Sequence, residues 1–286
     1  MEKRRIQLVG RSTLMVSLPI KWIKDTGLNK GDFVAIMGQN GAGKTTLIRT
    51  LNGLLRPTNG TVFLDGQDIS NKTIANLSQK VGIIFQNPMH QLFSNTVEEE
   101  INFSLKSLDI SKEEIKSRIN TILKQFDFIR YRERSPFNLS GGESKKLAIA
   151  SIVCRNPDIL VFDEPTLGQD EKEINFIINL LNSEITKGKT IIIVTHNIEF
   201  TMEYIPRTVL MRGGQIVADG PTEYVLTNQN LIKNTSMVLP YIQQFKIALQ
   251  QVGINIPDEI FKKQDVIEYL SEYLKNYSLD VKEGSN

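Results

Sequence analysis

What the sequence has little of narrows its reading first. A single cysteine, Cys154, leaves no partner for a disulfide within the chain and fits a reducing compartment. Its surroundings, "AIASIVCRNPD", look like a packed helix, so Cys154 reads as a small buried hydrophobe. No stretch approaches the roughly 18 apolar residues that cross a bilayer, and "MEKRRIQLVG" leads into no apolar leader segment. Any membrane role is therefore expected to come through a partner. The net charge is only +2, so no bulk field recruits nucleic acid or anionic lipid. There is no internal repeat, and no low-complexity tract beyond the polar C-terminal "VKEGSN". What is present, 286 residues that are 40% hydrophobic and 23% charged, is the composition of a water-soluble globular chain able to bury a full core. It is long enough for two small domains or one large one with an appendage.

The stretch "GQNGAGKTT", Gly38 to Thr46, fits the P-loop pattern: two glycines five apart, followed at once by Lys and Thr. Glycine has no Cβ, so successive backbone N–H groups can curl around a phosphate without steric cost. Upstream, "DFVAIM" is a short apolar run, as a buried parallel strand would be. Downstream, "TTLIRTLNGLL" has helical spacing, which would aim a helix N-terminus at the anion. A nucleotide-binding loop calls for a magnesium-holding aspartate at the end of another strand. "ILVFDEP" supplies it, delivering Asp163 and Glu164 together. Asp163 can hold magnesium beside Thr45, and Glu164 is the natural general base for a water attacking the γ-phosphate. On pattern alone, a flexible turn and a solvated acidic pair remain alternatives.

Strand-like and helix-like segments alternate through the middle. Strands are expected at "TVFLD", "VGIIF", "DILVFD", "TIIIVT", "TVLM" and "QIVAD", with helices near 111–126, 143–155 and 171–187. That order predicts an α/β fold with a parallel sheet covered on both faces. Ligands in such sheets sit at the strand C-terminal ends, where the Gly38–Thr46 loop falls. Ser111 and Glu114 are spaced as a capping box. From about Asn228 only helical patterns remain. Ile242, Phe245, Leu249 and Val252 share one apolar face that ends at Gly253, and Val266, Ile267, Leu270 and Leu274 share another.

Three further stretches complete a set: "LSGGE" at 139–143 opening a helix, "IIFQNP" carrying Gln86, and "IIIVTH" ending at His196. With the P-loop and "DEPT", in that family's order, residues 31–225 resemble the ATP-binding-cassette (ABC) ATPases. The resemblance implies a P-loop NTPase fold, a parallel-sheet core with a helical subdomain at about 87–156, and hydrolysis of ATP with Mg2+. It implies that Gly38, Gln39, Asn40, Gly41, Ala42, Gly43, Lys44, Thr45 and Thr46 cradle the nucleotide, with Lys44 on the β- and γ-phosphates. Thr45, Gln86 and Asp163 would hold the metal. Glu164, His196 and Gln86 would be catalytic, His196 touching the γ-phosphate and holding the attacking water. Ser140, Gly141 and Gly142 would face the γ-phosphate of a second ATPase subunit, and Asp170 would fall in the dimer-interface loop. Glu143 departs from the family's usual Gln; a carboxylate there favours the helix dipole but opposes a nearby phosphate.

"QNPMHQLFSNTVEEEINF" is similar to the energy-coupling-factor and cobalt/nickel branch of that family, and "LPYIQQFKIALQQVGINIP" to the C-terminal helices that pair its two ATPases. That likeness implies a subunit powering uptake of a metal ion or vitamin. Its expected partners are a second cassette (identical or not), a transmembrane coupling subunit and a substrate-binding membrane subunit, and its expected place is the cytoplasmic face of the membrane. Nucleic acid is not an expected partner. Met89, Leu92 and Phe93 beside Gln86 would suit a groove for a coupling helix, or be ordinary core. The expected division is an atypical segment at 1–32, a cassette at 33–227 and a helical extension at 228–286. Residues 1–36 resemble instead the first half of an AbrB-like swapped-hairpin module, or else a diverged cassette start, with Trp22 the nearby large aromatic for adenine stacking. The rival readings are a soluble cassette ATPase of DNA repair or translation, and a DNA-binding regulator acting through the N-terminus.

Overall fold

The computed structural model describes residues 7–9, 13–15 and 30–283, with side chains over 30–275. β1 (Gln7–Val9) and β2 (Thr13–Met15) pair antiparallel as a sheet of their own. Trp22 and the other residues ahead of 30, these two strands excepted, lie outside the described residues.

The chain continues through β3 (Phe33–Met37), α1 (Lys44–Leu51), the short hairpin β4 (Phe63–Leu64) and β5 (Gln67–Asp68), α2 (Ile74–Lys80) and β6 (Val81–Ile84). A helical stretch follows, with α3 (Val97–Leu105), α4 (Lys112–Gln125) and α5 (Gly141–Val153). Then come β7 (Ile159–Asp163), α6 (Glu171–Thr186), β8 (Thr190–Val194), α7 (Ile198–Tyr204), β9 (Arg207–Arg212) and β10 (Gln215–Pro221). The chain closes with α8 (Thr222–Thr227), α9 (Gln229–Asn234), α10 (Tyr241–Gln251) and α11 (Lys263–Glu283).

The main sheet has the order β10-β9-β3-β8-β7-β6. The pairs β9–β3, β3–β8, β8–β7 and β7–β6 are parallel, as the alternation of strands and helices predicts. β10 differs, running antiparallel to β9. Only Gly213 and Gly214 separate the two strands, both at positive φ. Such a two-residue turn reverses the chain, whereas a parallel return needs a crossover of a dozen or more residues.

Period two along the central strands distributes the core to both faces of the sheet. Ala35 and Met37 of β3 join Phe162, Ile191 and Ile193 in a large cluster with α3, α5 and α6. Val34 and Ile36 join Val161, Ile192, Leu47 and Ile48 in a second cluster under α1. Because the strands are parallel, and Asp163 is in register with Val194 as Val194 is with Ile36, the ends of β3, β7 and β8 emerge on one edge.

Several local expectations change. "TVFLD" forms only the two-residue β4, paired antiparallel with β5 outside the main sheet. Ser111 accepts from the Glu114 N–H at 3.1 Å, but Glu114 turns its carboxylate to Arg118 at 2.7 Å, so the box at α4 is half formed. In α10 the expected apolar face is not the covered one: Val252 is 72% exposed and Phe245 is exposed, while Lys246 is buried. Lys246 Nζ donates to the carbonyls of Pro257 (2.6 Å) and Ile260 (3.2 Å), so the helix is packed by the loop that follows Gly253. On α11, Val266 is buried while Ile267 and Leu274 stay exposed.

Cys154 is buried as expected, and burial pushes its thiol pKa up to about 12. The native chain should therefore resist a thiol-specific reagent at pH 8 and react fully once unfolded in denaturant. Complete labelling of the native protein within minutes would contradict this packing.

Candidate functional site

The loop from β3 to α1 is shaped by its glycines and by Lys44. Gly38, Gly41 and Gly43 all carry positive φ. A Cβ on Gly38 would run into the backbone carbonyl of Met211 on β9, so this position requires glycine for space as well as for conformation. The Ala42 N–H closes the turn on the Gln39 carbonyl at 3.0 Å. Lys44 is buried, and its Nζ reaches back to donate to the carbonyls of Gly38 (2.6 Å) and Gln39 (3.1 Å). Burial lowers its pKa, and the nearby carboxylates of Glu164 and Asp163 oppose that. α1 begins without a side-chain cap and without an acidic residue in its first turn. Its leading N–H groups are thus open to an anion, and the cradle fits a phosphate.

Across the cavity, the Thr45 hydroxyl donates to Asp163 Oδ2 at 3.3 Å. Asp163 is buried, and desolvation raises its pKa, against the Thr45 hydrogen bond. A hydroxyl, a buried carboxylate and the amide of Gln86 on one cavity wall are hard oxygen donors of the kind Mg2+ takes.

Glu164 follows in the left-handed region with φ 50, uncommon for a residue with a side chain. Its N–H donates to the Val194 carbonyl at 2.8 Å, and its own carbonyl accepts from Lys145 Nζ at 3.1 Å. One carboxylate oxygen lies 2.7 Å from His196 Nδ1. The other accepts from the Thr195 hydroxyl at 3.0 Å and the His196 N–H at 3.4 Å. The acidic pair is therefore not solvated: Asp163 and Glu164 are both buried.

A cavity of about 330 Å³ gathers Asn40, Gly41, Ala42, Gly43, Lys44, Thr45, Thr46, Gln86, Asp163, Glu164, Leu167 and His196. Two expected members stand outside its wall. Gly38 shapes the loop from behind, and Gln39 directs its amide to the Ser236 carbonyl at 3.1 Å. None of the described lining residues carries an aromatic ring other than the His196 imidazole.

Ser140, Gly141 and Gly142 do not line this cavity either; they begin α5. Ser140 and Glu143 form a reciprocal capping box, Ser140 N–H to Glu143 Oε2 at 2.8 Å and Glu143 N–H to Ser140 Oγ at 3.2 Å. The Ser140 N–H holds the Glu143 carboxyl below its ordinary pKa, with help from Tyr131 and Arg134. Asp170 is likewise the cap of α6, boxed with Glu173.

Beside Gln86 the expected groove divides. Leu92 is 3% exposed and belongs to the core, whereas Met89 and Phe93 are 46% and 57% exposed. The buried Glu100 carboxylate accepts from the N–H groups of Phe93 and Ser94, both at 2.9 Å, which fixes the turn that presents Phe93. Phe93 packs edge-on against exposed Phe103, ring centroids 4.6 Å apart. Motif reading missed Lys145, Thr195, Glu100 and Phe103. A lysine between apolar positions of a helix and a threonine closing an apolar strand were the available signals.

Residues 24–167 match the family model described as ABC transporter. The energy-coupling factor transporter ATP-binding protein EcfA2 of Clostridium perfringens is 37% identical over 256 residues, covering 87% of this chain and 89% of that protein. A putative ABC transporter ATP-binding protein of Methanosarcina acetivorans is 40% identical over 230 residues, 80% of this chain. The chain spans 38% of the length of that relative and 44% of its counterpart in Methanosarcina mazei. Of solved structures, cbiO1 of Clostridium perfringens, part of the ABC transporter complex cbiONQ, superposes with TM-score 0.64 at 32% identity, covering 76% of this chain and 88% of its own. The cassette MJ0796, a post-hydrolysis dimer bound to ADP and Pi, superposes with TM-score 0.64 at 27% identity, covering 76% and 95%.

The two glycine environments predict different costs. Gly38→Ala sets a methyl against a backbone carbonyl that cannot swing away and should destabilise by about 1–3 kcal/mol or more. Gly142→Ala meets only the movable carboxylate of Glu173; the disturbed α6 cap is offset by better helix propensity, so it should stay within about 1 kcal/mol of wild type. Urea denaturation of both variants checks the order, and equal costs would refute it.

Proposed function

Since the chain belongs to the ABC transporter family, we propose that it is the ATP-hydrolysing subunit of an uptake transporter of the energy-coupling-factor type. The observation that carries the reading is the Glu164 carboxylate, held 2.7 Å from His196 on the wall that also bears Lys44, Thr45 and Asp163. Its likeness to EcfA2 and cbiO1 supports the transporter assignment, and the likeness to MJ0796 with ADP and Pi supports the reaction.

In this reading the α1 N-terminus and Lys44 bind the phosphates, while Asn40 to Thr46 wrap them. Thr45, Gln86 and Asp163 hold Mg2+, which when bound neutralises phosphate charge and polarises the terminal phosphoryl group. Glu164 takes a proton from a water whose oxygen attacks the γ-phosphorus as the bond to the β-bridging oxygen breaks and ADP leaves. Thr195 and His196 fix the two oxygens of that base, so its direction is set before substrate arrives. A base so positioned contributes roughly 10²- to 10⁴-fold.

Ser140, Gly141 and Gly142, outside the cavity of their own chain, serve the site of a second cassette, so ATP joins two subunits and hydrolysis lets them part. The cassette is assigned to 33–227, its helical subdomain to about 87–156, and the extension to 228–286. The exposed Phe245, Val252, Ile267 and Leu274 of that extension suit pairing with the second subunit. Met89, Phe93 and Phe103 suit a helix of the transmembrane coupling subunit. No described helix is long and apolar enough to cross a membrane. The likeness to EcfA2 supports a place on the cytoplasmic face of the membrane, held there by these partners. A separate membrane subunit would select the cargo, a metal ion or vitamin.

Glu164→Gln keeps shape and removes the base. ATP hydrolysis should fall at least 100-fold with nucleotide binding kept, and a rate within threefold of wild type would sink the assignment. Changing Phe93 and Phe103 together to Ser should release the chain from co-expressed membrane subunits with its melting transition unchanged. Leu92→Ser should instead destabilise the fold by about 2–5 kcal/mol, as core truncations do. Retained membrane association in the Phe93/Phe103 variant would move the docking surface elsewhere.

A further inference from the structure

Lys145 stands one turn into α5, the helix that begins with Ser140, Gly141 and Gly142. It is only 4% exposed. Its Nζ donates to the Glu164 carbonyl at 3.1 Å and the Leu167 carbonyl at 3.4 Å, and both acceptors are neutral. Burying an ammonium group without a carboxylate in contact is costly: burial lowers the pKa of Lys145, against the nearby carboxylates of Glu164 and Glu173. An apolar side chain would pack in this place at less cost, so the two carbonyls are what this lysine is fitted to.

Those carbonyls belong to the segment that holds the base. Glu164 is in the left-handed region, where a non-glycine residue persists only when its surroundings hold it. The Val194 carbonyl fixes its N–H and Lys145 fixes its C=O, so the peptide planes on both sides are pinned. With them is set the direction in which the side chain leaves toward Thr195 and His196. Three residues before Lys145, the same helix makes a second contact just beyond that segment: Gly142 lies against the Glu173 carboxylate, which accepts from the Asp170 N–H at the start of α6.

We propose that Lys145 is a positioning residue, tying the helix whose first turn serves the opposite subunit's nucleotide to the backbone of the general base in its own site. The inference rests on the reading of Glu164 as that base. Through it, a shift of α5 on engaging a second subunit is passed to Glu164 as a displacement of its carbonyl.

Lys145→Met keeps length and volume but removes the donor. In the full chain assembled with its partners, kcat for ATP should fall at least tenfold, with KM within twofold and the melting temperature within a few degrees of wild type. Lys145→Gln, which keeps an N–H donor on a side chain one bond shorter, should recover part of the rate by donating to the nearer carbonyl, that of Glu164. In a Glu164→Gln background the Met substitution should change the residual rate less than twofold, because its action runs through Glu164. A Lys145→Met enzyme within twofold of wild type would overturn the proposal. So would a Lys145→Gln variant that folds normally yet is as slow as Lys145→Met, which also decides the matter if the Met variant does not fold. Undiminished hydrolysis in Glu164→Gln alone would instead overturn the reading beneath it.

Discussion

Three charged groups are kept out of water at the edge of the sheet: Lys44, Asp163 and Glu164, all buried. Charges withdrawn from solvent are tolerated only when they face one another or bind something. Among these three the balance is short of one positive charge, which buried Lys145 behind Glu164 offsets in part, and the opposite effects of burial on Lys44 and Asp163 register the tension. An anion arriving at the open end of α1 would meet two carboxylates across the cavity. A phosphate alone is therefore poorly matched to the site, whereas a phosphate accompanied by a divalent cation answers both deficits. The parallel sheet exists, in this respect, to bring the ends of β3, β7 and β8 together so that the three groups can share one small volume.

The same crowding explains why Glu164 is so fully restrained. Its backbone is held at both ends, and its carboxylate by Thr195 and both nitrogens that His196 offers on that side. A carboxylate left to rotate would turn to whichever donor lay nearest, and Lys44 is close enough to interact with it. Fixing the backbone in an unfavourable conformation is the cost of directing the side chain elsewhere.

Much of this was legible because it is local. The glycine loop, the acidic end of β7 and the His196 end of β8 are short strings whose chemistry follows from their own neighbours. The central strands β3, β6, β7 and β8 read correctly because residues buried on both faces leave continuous apolar runs, whereas "TVFLD" shrank to the exposed two-residue β4. What could not be read depends on which remote segment covers a face. Leu92 and Phe93 are adjacent and both apolar, yet one is core and one exposed, and the difference lies in Glu100 pinning the turn between them and α3. In α10, helical periodicity marks an apolar face, but the loop at 254–262 supplies carbonyls to Lys246 on another. Lys145 was hidden for the same reason, since its acceptors lie 19 and 22 residues away in the chain.

One helix N-terminus, that of α1, opens on the cavity, and its cap differs from those of α5 and α6. α1 has no side-chain cap, so its first N–H groups are available as the chain stands. α6 is closed by Asp170 and Glu173, and its end is structural. α5 lies between these cases. Its Ser140 N–H is engaged by Glu143, whose carboxyl is held in the ionised form by that bond and by Tyr131 and Arg134. A phosphate approaching from a second subunit would meet this negative charge within the first turn, where the helix dipole would otherwise favour it. A neutral glutamine could make the same reciprocal cap without the repulsion. With glutamate, the stability of α5 and the attraction of its N-terminus for an anion oppose each other, and an incoming phosphate gains the Ser140 N–H only by displacing the cap. If both ends face nucleotide, as proposed, they are unequal: the N-terminus of α1 is uncapped, and that of α5 is closed by the carboxylate of Glu143.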